Sequence, residues 1–214
     1  MQKKTLIASM VLATLALAVP ALAGPPFTCH VFEIGSAKSL PWGANNNWLG
    51  MRDDYDFTRV VADTEALLTP STPTLVRMET LRRASLYASR DRAVAEQLIA
   101  TMMSRVHAAD QAGQPTALFD AGYVIEALSE IEQFGNHTKQ LAGSERVLAG
   151  LTRSLEARPL LEKSAALRPG DAAIEFALGL ISRTPESETH FKKARAAAPQ
   201  DALLANNLAK LQLQ

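Results

Sequence analysis

From about Thr58 onward, apolar residues recur every three or four positions, and no sustained run alternates in twos. A repeat near 3.6 lines one helix face, whereas a half-buried strand needs a repeat of two. An all-α fold is the natural solution to that pattern. Its punctuation then separates the helices. Thr58 reads as the cap of a first helix running to about Leu68 and stopped before Pro70. Ser71-Thr72-Pro73 supplies a cap and a first-turn proline for a second, with Leu75, Met78, Leu81, Ser85 and Ala88 on its inner stripe. Arg82, Arg83 and Arg90 are expected on its solvated side.

Ser89 or Asp91 caps a third helix that carries Val94, Leu98, Ile99, Met102, Met103 and Val106 on one stripe. Gly113 and Pro115 close it. A fourth is expected from Pro115 to Phe134. Ser144 to Leu167 reads as a helix kinked near Pro159, because proline lacks the amide donor and crowds the preceding turn. Two shorter helices and the start of another complete the chain.

Hydrophobic residues make up 47% of the sequence but aromatic ones only 6%, so the core must be built mainly from alanine and leucine. Residues 27–57 break that rule. Phe27, Phe32, Trp42, Trp48, Tyr55 and Phe57 fall there, half of all the aromatics. Gly35, Pro41, Gly43, Asn45-Asn46-Asn47 and Gly50 punctuate the same stretch, which discourages long helices. It is expected to be an irregular, aromatic-rich segment packed on a helical body.

The C-terminal part repeats itself. Residues 160–180 and 190–210 align without gaps, pairing Leu161 with Phe191, Lys163 with Lys193, Pro169 with Pro199 and Asp171 with Asp201. Small residues at Gly179, Ala194 and Ala209 let helices approach closely, while proline ends one helix and aspartate caps the next. In this the chain resembles the tetratricopeptide repeat, a helix-turn-helix unit of about 34 residues. Phe191, Ala194 and Pro199 stand where that family has a bulky residue, a small residue and a turn proline; Leu178-Gly179 and Asn207-Leu208-Ala209 stand where it has Leu-Gly. The spacing from Pro169 to Pro199 is 30, about one turn short. The likeness covers residues 160–214, with a weaker echo at Ala121-Gly122-Tyr123. It implies antiparallel helix pairs stacked as a degenerate right-handed solenoid. The stretch from Cys29 to Trp42 is also similar to the opening of a group of secreted bacterial proteins, a likeness that carries no chemistry with it.

Three divisions follow: 1–23, 24–57 and 58–214. Lys3 and Lys4 precede an uncharged apolar run from Leu6 to Val19, and Ala21-Leu22-Ala23 reads as a cleavage site. That is the pattern of a cleaved signal peptide, too short for a span, so the mature chain is expected near Gly24 in the periplasm or outside the cell. The formal charge is 0, and losing Lys3 and Lys4 leaves about −2, the wrong balance for a nucleic-acid partner. With Cys29 as the one cysteine, no disulfide frame can form within the chain.

Cys29-His30 invites haem or zinc. Haem attachment needs C-x-x-C-H, and Pro26 stands at the first cysteine. Zinc needs three or four ligands, and His30, His107, His137 and His190 are scattered. No metal site, cofactor or catalytic residue is therefore assigned, although Cys29 with His107 or His137 would have the groups a thiol nucleophile needs. Asp53, Asp54 and Asp56 could act as paired carboxylates, but their place before a helix start suits its N-terminal dipole better. The best ligand-binding candidates are Trp42, Asn45, Asn46, Asn47 and Trp48, with Asp53 and Asp54 beside them. Tryptophan and short amides stack on sugars or peptides; the alternative is that these aromatics cover an exposed end of the helical stack. The reading is an exported scaffold or adaptor holding a protein or peptide in the cell envelope. Its alternative is an envelope enzyme or carbohydrate-binding module built on residues 29–56.

Overall fold

The computed structural model describes residues 27–44, 47–112 and 115–211. The expected leader at 1–23, together with Asn45, Asn46 and Gly113, falls outside the described residues. Within them the fold is all-helical, with no strand. The helices are α1 (Val60–Leu67), α2 (Thr74–Ala88), α3 (Arg92–Ala112), α4 (Pro115–Phe134), α5 (Ser144–Leu148), α6 (Ala157–Leu167), α7 (Ala172–Ile181), α8 (Glu186–Ala197) and α9 (Ala202–Leu211). None of these is long and apolar enough to cross a membrane.

The boundaries have local causes. Asp56 accepts the Thr58 amide and opens one 3-10 turn, Phe57–Arg59, that leads into α1. Pro73, extended in backbone, stands just ahead of α2. Asp91 Oδ1 accepts the Val94 amide at 3.1 Å and fixes the start of α3. Pro115 opens α4, where a missing amide donor costs nothing. Asp171 and Asp201 cap α7 and α9 by accepting Ala173 N at 3.2 Å and Leu204 N at 3.0 Å.

Residues 144–167 differ from expectation. They are not one kinked helix but two, α5 and α6, separated by a non-helical stretch from Ala149 to Glu156. Gly150, at φ 68°, takes a left-handed conformation that glycine adopts without a Cβ penalty. Pro159 is the third residue of α6, inside the first turn, where amide donors lack intrahelical acceptors anyway. The proline therefore helps to start α6, and the glycine breaks the chain before it.

Helix α2 is enclosed almost all round, with 14 of its 15 residues buried. Helix α4 packs against α2, α3, α5 and α6. At Gly122 a Cβ would lie 2.8 Å from the Ala157 carbonyl oxygen, so α4 and α6 come close only because that side chain is absent. The same device recurs where α7 meets α8. A Cβ on Gly179 would stand 2.7 Å from the Phe191 ring.

The described residues between 27 and 57 form a strap without α-helix or strand. Phe27 stands edge-on to Tyr123 of α4 at 5.2 Å, and Phe32 edge-on to Phe176 of α7 at 6.0 Å. Trp48 leans on Phe134 at 6.0 Å, and Asn207 of α9 holds Glu33. The strap thus runs over several helices, touching α4, α7 and α9. Burying Phe27, Phe32 and Leu40, each at most 3% exposed, contributes about 1.5–3 kcal/mol apiece.

Candidate functional site

An irregular segment has no ladder of its own, so its amides and carbonyls need partners supplied from elsewhere. Here the helices supply them through polar side chains. Glu130 of α4 accepts Phe27 N at 2.7 Å and Thr28 N at 2.9 Å. Glu79 of α2 accepts Phe32 N at 3.1 Å. Asn207 makes a two-way clasp on Glu33, accepting its amide and donating to its carbonyl, both at 2.9 Å. Arg82 donates to the carbonyls of Thr28 (3.2 Å) and Trp48 (2.9 Å), and Arg83 to that of Leu40 at 2.6 Å. The Tyr87 hydroxyl donates to Pro41 O at 2.8 Å and accepts Arg52 N at 2.9 Å.

These groups correct the expected solvated face of α2. Arg82 is wholly buried and Arg83 mostly so; of the three arginines, Arg90 keeps the most exposure. A buried guanidinium needs a counter-charge, and Glu79 provides it. The Glu79 carboxylate accepts Arg82 Nε at 2.9 Å, Arg82 Nη2 at 2.8 Å and Arg83 Nε at 2.6 Å. A second buried group ties the first turn of α2 to α4. Asp120 lies 2.7 Å from Arg77 and 3.2 Å from Arg105, and burial pushes its carboxyl up against the pull of those cations.

Trp42 sits on this cluster. The Arg82 and Arg83 guanidinium groups lie 5.0 and 5.4 Å from its ring, within cation–π range, and Tyr87 meets it edge-on at 5.7 Å. Its indole N–H donates to Asn47 O at 2.9 Å. The loop is closed by Gly43 N donating to Gly50 O at 2.7 Å, and Gly50 must be glycine because a Cβ would lie 2.5 Å from the indole nitrogen. Both tryptophans are half-buried against helices. Their contacts bind the strap to the body.

Asn47, Asp53 and Asp54 do not converge with them. Asn47 is exposed and its side chain accepts Leu49 N at 3.1 Å, which shapes its own turn. Asn45 and Asn46 lie outside the described residues. Asp54 pairs with Arg52 across exposed surface, with Nε at 2.8 Å. Asp53 is fully exposed, 3.9 Å from Arg90. Asp56 serves as the cap already described.

Cys29, at the start of the strap, is half-buried. Burial, reinforced by Glu130, pushes its thiol up to about 12, so the neutral form dominates at ordinary pH and thiolate chemistry is disfavoured. Burial likewise raises Glu130 to about 7, with the Thr28 and Phe27 amides pulling the other way. Among the described residues, no group of three or more His, Cys, Asp or Glu is placed to hold a metal ion.

Sequence reasoning missed Glu79, Arg82, Arg83, Glu130 and Asn207. One signal was available. Glu79 with Arg82 and Arg83 has the i,i+3 and i,i+4 spacing of ion pairs, inside a helix otherwise rich in buried residues. No family model matches the chain, and no curated protein or solved structure matches it either.

Proposed function

We propose that the protein is an exported helical scaffold that binds a partner protein through the outer face of α9. In this reading α6–α7 and α8–α9 are two antiparallel pairs of a degenerate, tetratricopeptide-like solenoid. One observation carries it. On α7, the seat for the next helix is formed by Glu175, which holds His190 Nδ1 at 2.6 Å and Lys193 Nζ at 3.0 Å, and by Gly179, against which Phe191 lies. The 30-residue offset carries Glu175 to Ala205 and Gly179 to Ala209. Ala209 is exposed. The seat filled on α7 is therefore open on α9, and it is small and uncharged.

The occupant that fits is a partner helix carrying a bulky apolar residue, packed as Phe191 packs on Gly179. The inner side of α9 is already used, with Leu204 and Leu208 buried and Asn207 on the strap. Export rests on the leader at 1–23 and places that partner in the cell envelope or outside the cell. The strap then acts as internal bracing, which leaves the Trp42 face engaged within the protein rather than offered to a sugar.

Capture from envelope extract with the mature protein, run beside Ala209→Arg, tests the reading. A partner retained by the mature protein and lost from Ala209→Arg at unchanged melting temperature supports it. Recovery of no reproducible partner, or a partner retained by Ala209→Arg, overturns it.

A further inference from the structure

A cavity of about 440 Å³ lies between α4, α6 and the turn joining α7 to α8. Glu126 lines it from α4 and Arg158 from α6, with Ile181, Arg183, Pro185 and Glu186 completing the wall. That volume is within the range of small-molecule sites. Among the described residues, two of its charges, Glu126 and Arg183, have no direct partner. Arg158 is already engaged, donating from Nε to Glu162 at 2.7 Å and from Nη2 to Glu186. Glu126 is half-buried, and among the described residues no hydrogen bond or close ion pair engages it. Burial holds its carboxyl above the usual range while Arg158 pulls it down, as for an anion short of a direct partner. Arg183 is exposed and makes no ion pair among the described residues. Two opposite charges, neither directly paired, thus line one concave space.

We propose that this cavity binds a free α-amino acid, its ammonium on Glu126 and its carboxylate on Arg183. A simple cation would leave Arg183 unmet, and a simple anion would leave Glu126 unmet. A zwitterion answers both, with charge-assisted hydrogen bonds that outweigh neutral ones. Ile181 and Pro185 offer apolar contact to an aliphatic side chain. The site is separate from the outer face of α9 and does not depend on the scaffold reading.

Calorimetric titration of the mature protein with L-leucine tests it, with N-acetyl-L-leucine and L-leucinamide as probes lacking one charge each. Saturable L-leucine binding is expected, weakened at least about tenfold by N-acetylation or by Glu126→Gln, the loss of one charge-assisted contact. Leucinamide and Arg183→Ala should each weaken it as well. Glu126→Gln should melt no lower than the unaltered protein, because it removes a half-buried charge without a direct partner. Ala209→Arg should leave the titration unchanged, which separates this site from the α9 face. Absence of saturable L-leucine binding, or binding that survives Glu126→Gln, overturns the proposal.

Discussion

Replacing Glu79 by glutamine changes one atom and removes one charge, and its consequences can be worked from the contacts. The carboxylate accepts four hydrogen bonds: two from Arg82, one from Arg83 and one from Phe32 N. Glutamine keeps one oxygen and turns an NH2 group towards donors that the other oxygen served. Arg82, with no exposed side-chain surface, is then left without its counter-charge. Breaking a buried pair in this way costs about 3–5 kcal/mol. With a urea slope of about 2 kcal/mol per M, the unfolding midpoint should fall by roughly 2 M. The assay can separate strap from body, because Trp42 and Trp48 both lie in the strap while far-UV circular dichroism reports the helices. Both signals should shift together. Removing Arg82 as well, as Glu79→Gln with Arg82→Met, should cost less than the two single changes summed. A midpoint shift below about 0.5 M, or additive effects in the double variant, would refute the buried-charge argument.

Three further outcomes follow from particular residues. Gly179→Val should destabilise by about 1–3 kcal/mol in urea unfolding, since its Cβ meets the Phe191 ring, whereas Gly170→Ala meets nothing within 4 Å and should be near neutral. Glu130 is raised from 4.5 to about 7 in the fold, so the folded state holds this proton longer than the unfolded chain. Its contribution is therefore present at acid pH and lost as pH rises from about 4.5 to 7, an effect on the order of 3 kcal/mol that Glu130→Gln should flatten in a pH series of urea melts. N-terminal sequencing of exported protein should begin near Gly24; a start at Met1 would remove the export reading.

The helices were legible because their signals are local. The aspartates at positions 91, 171 and 201 cap helices whose starts the sequence shows, and Pro115 opens α4 as proline does at a first turn. The break before α6 was misread, because Pro159 is conspicuous while Gly150, which takes the left-handed turn, looks like any other glycine. The strap contacts were illegible for a different reason. Glu130 meets Phe27 across 103 residues and Asn207 meets Glu33 across 174, and periodicity carries nothing at that range. Arg82 looked solvated because charge usually is; its burial depends on Glu79 and on carbonyls of a distant segment.

The central claim is that helix side chains hold the strap by its backbone. Amide hydrogen exchange on the mature protein tests it most directly. The amides of Phe27, Thr28, Phe32, Glu33 and Arg52 donate to Glu130, Glu79, Asn207 and Tyr87 side chains. They should exchange slowly, on the scale of α2 amides, although they belong to no α-helix, and Glu79→Gln should release Phe32 first. Exchange of all five at unprotected rates, beside a protected α2, would contradict the account.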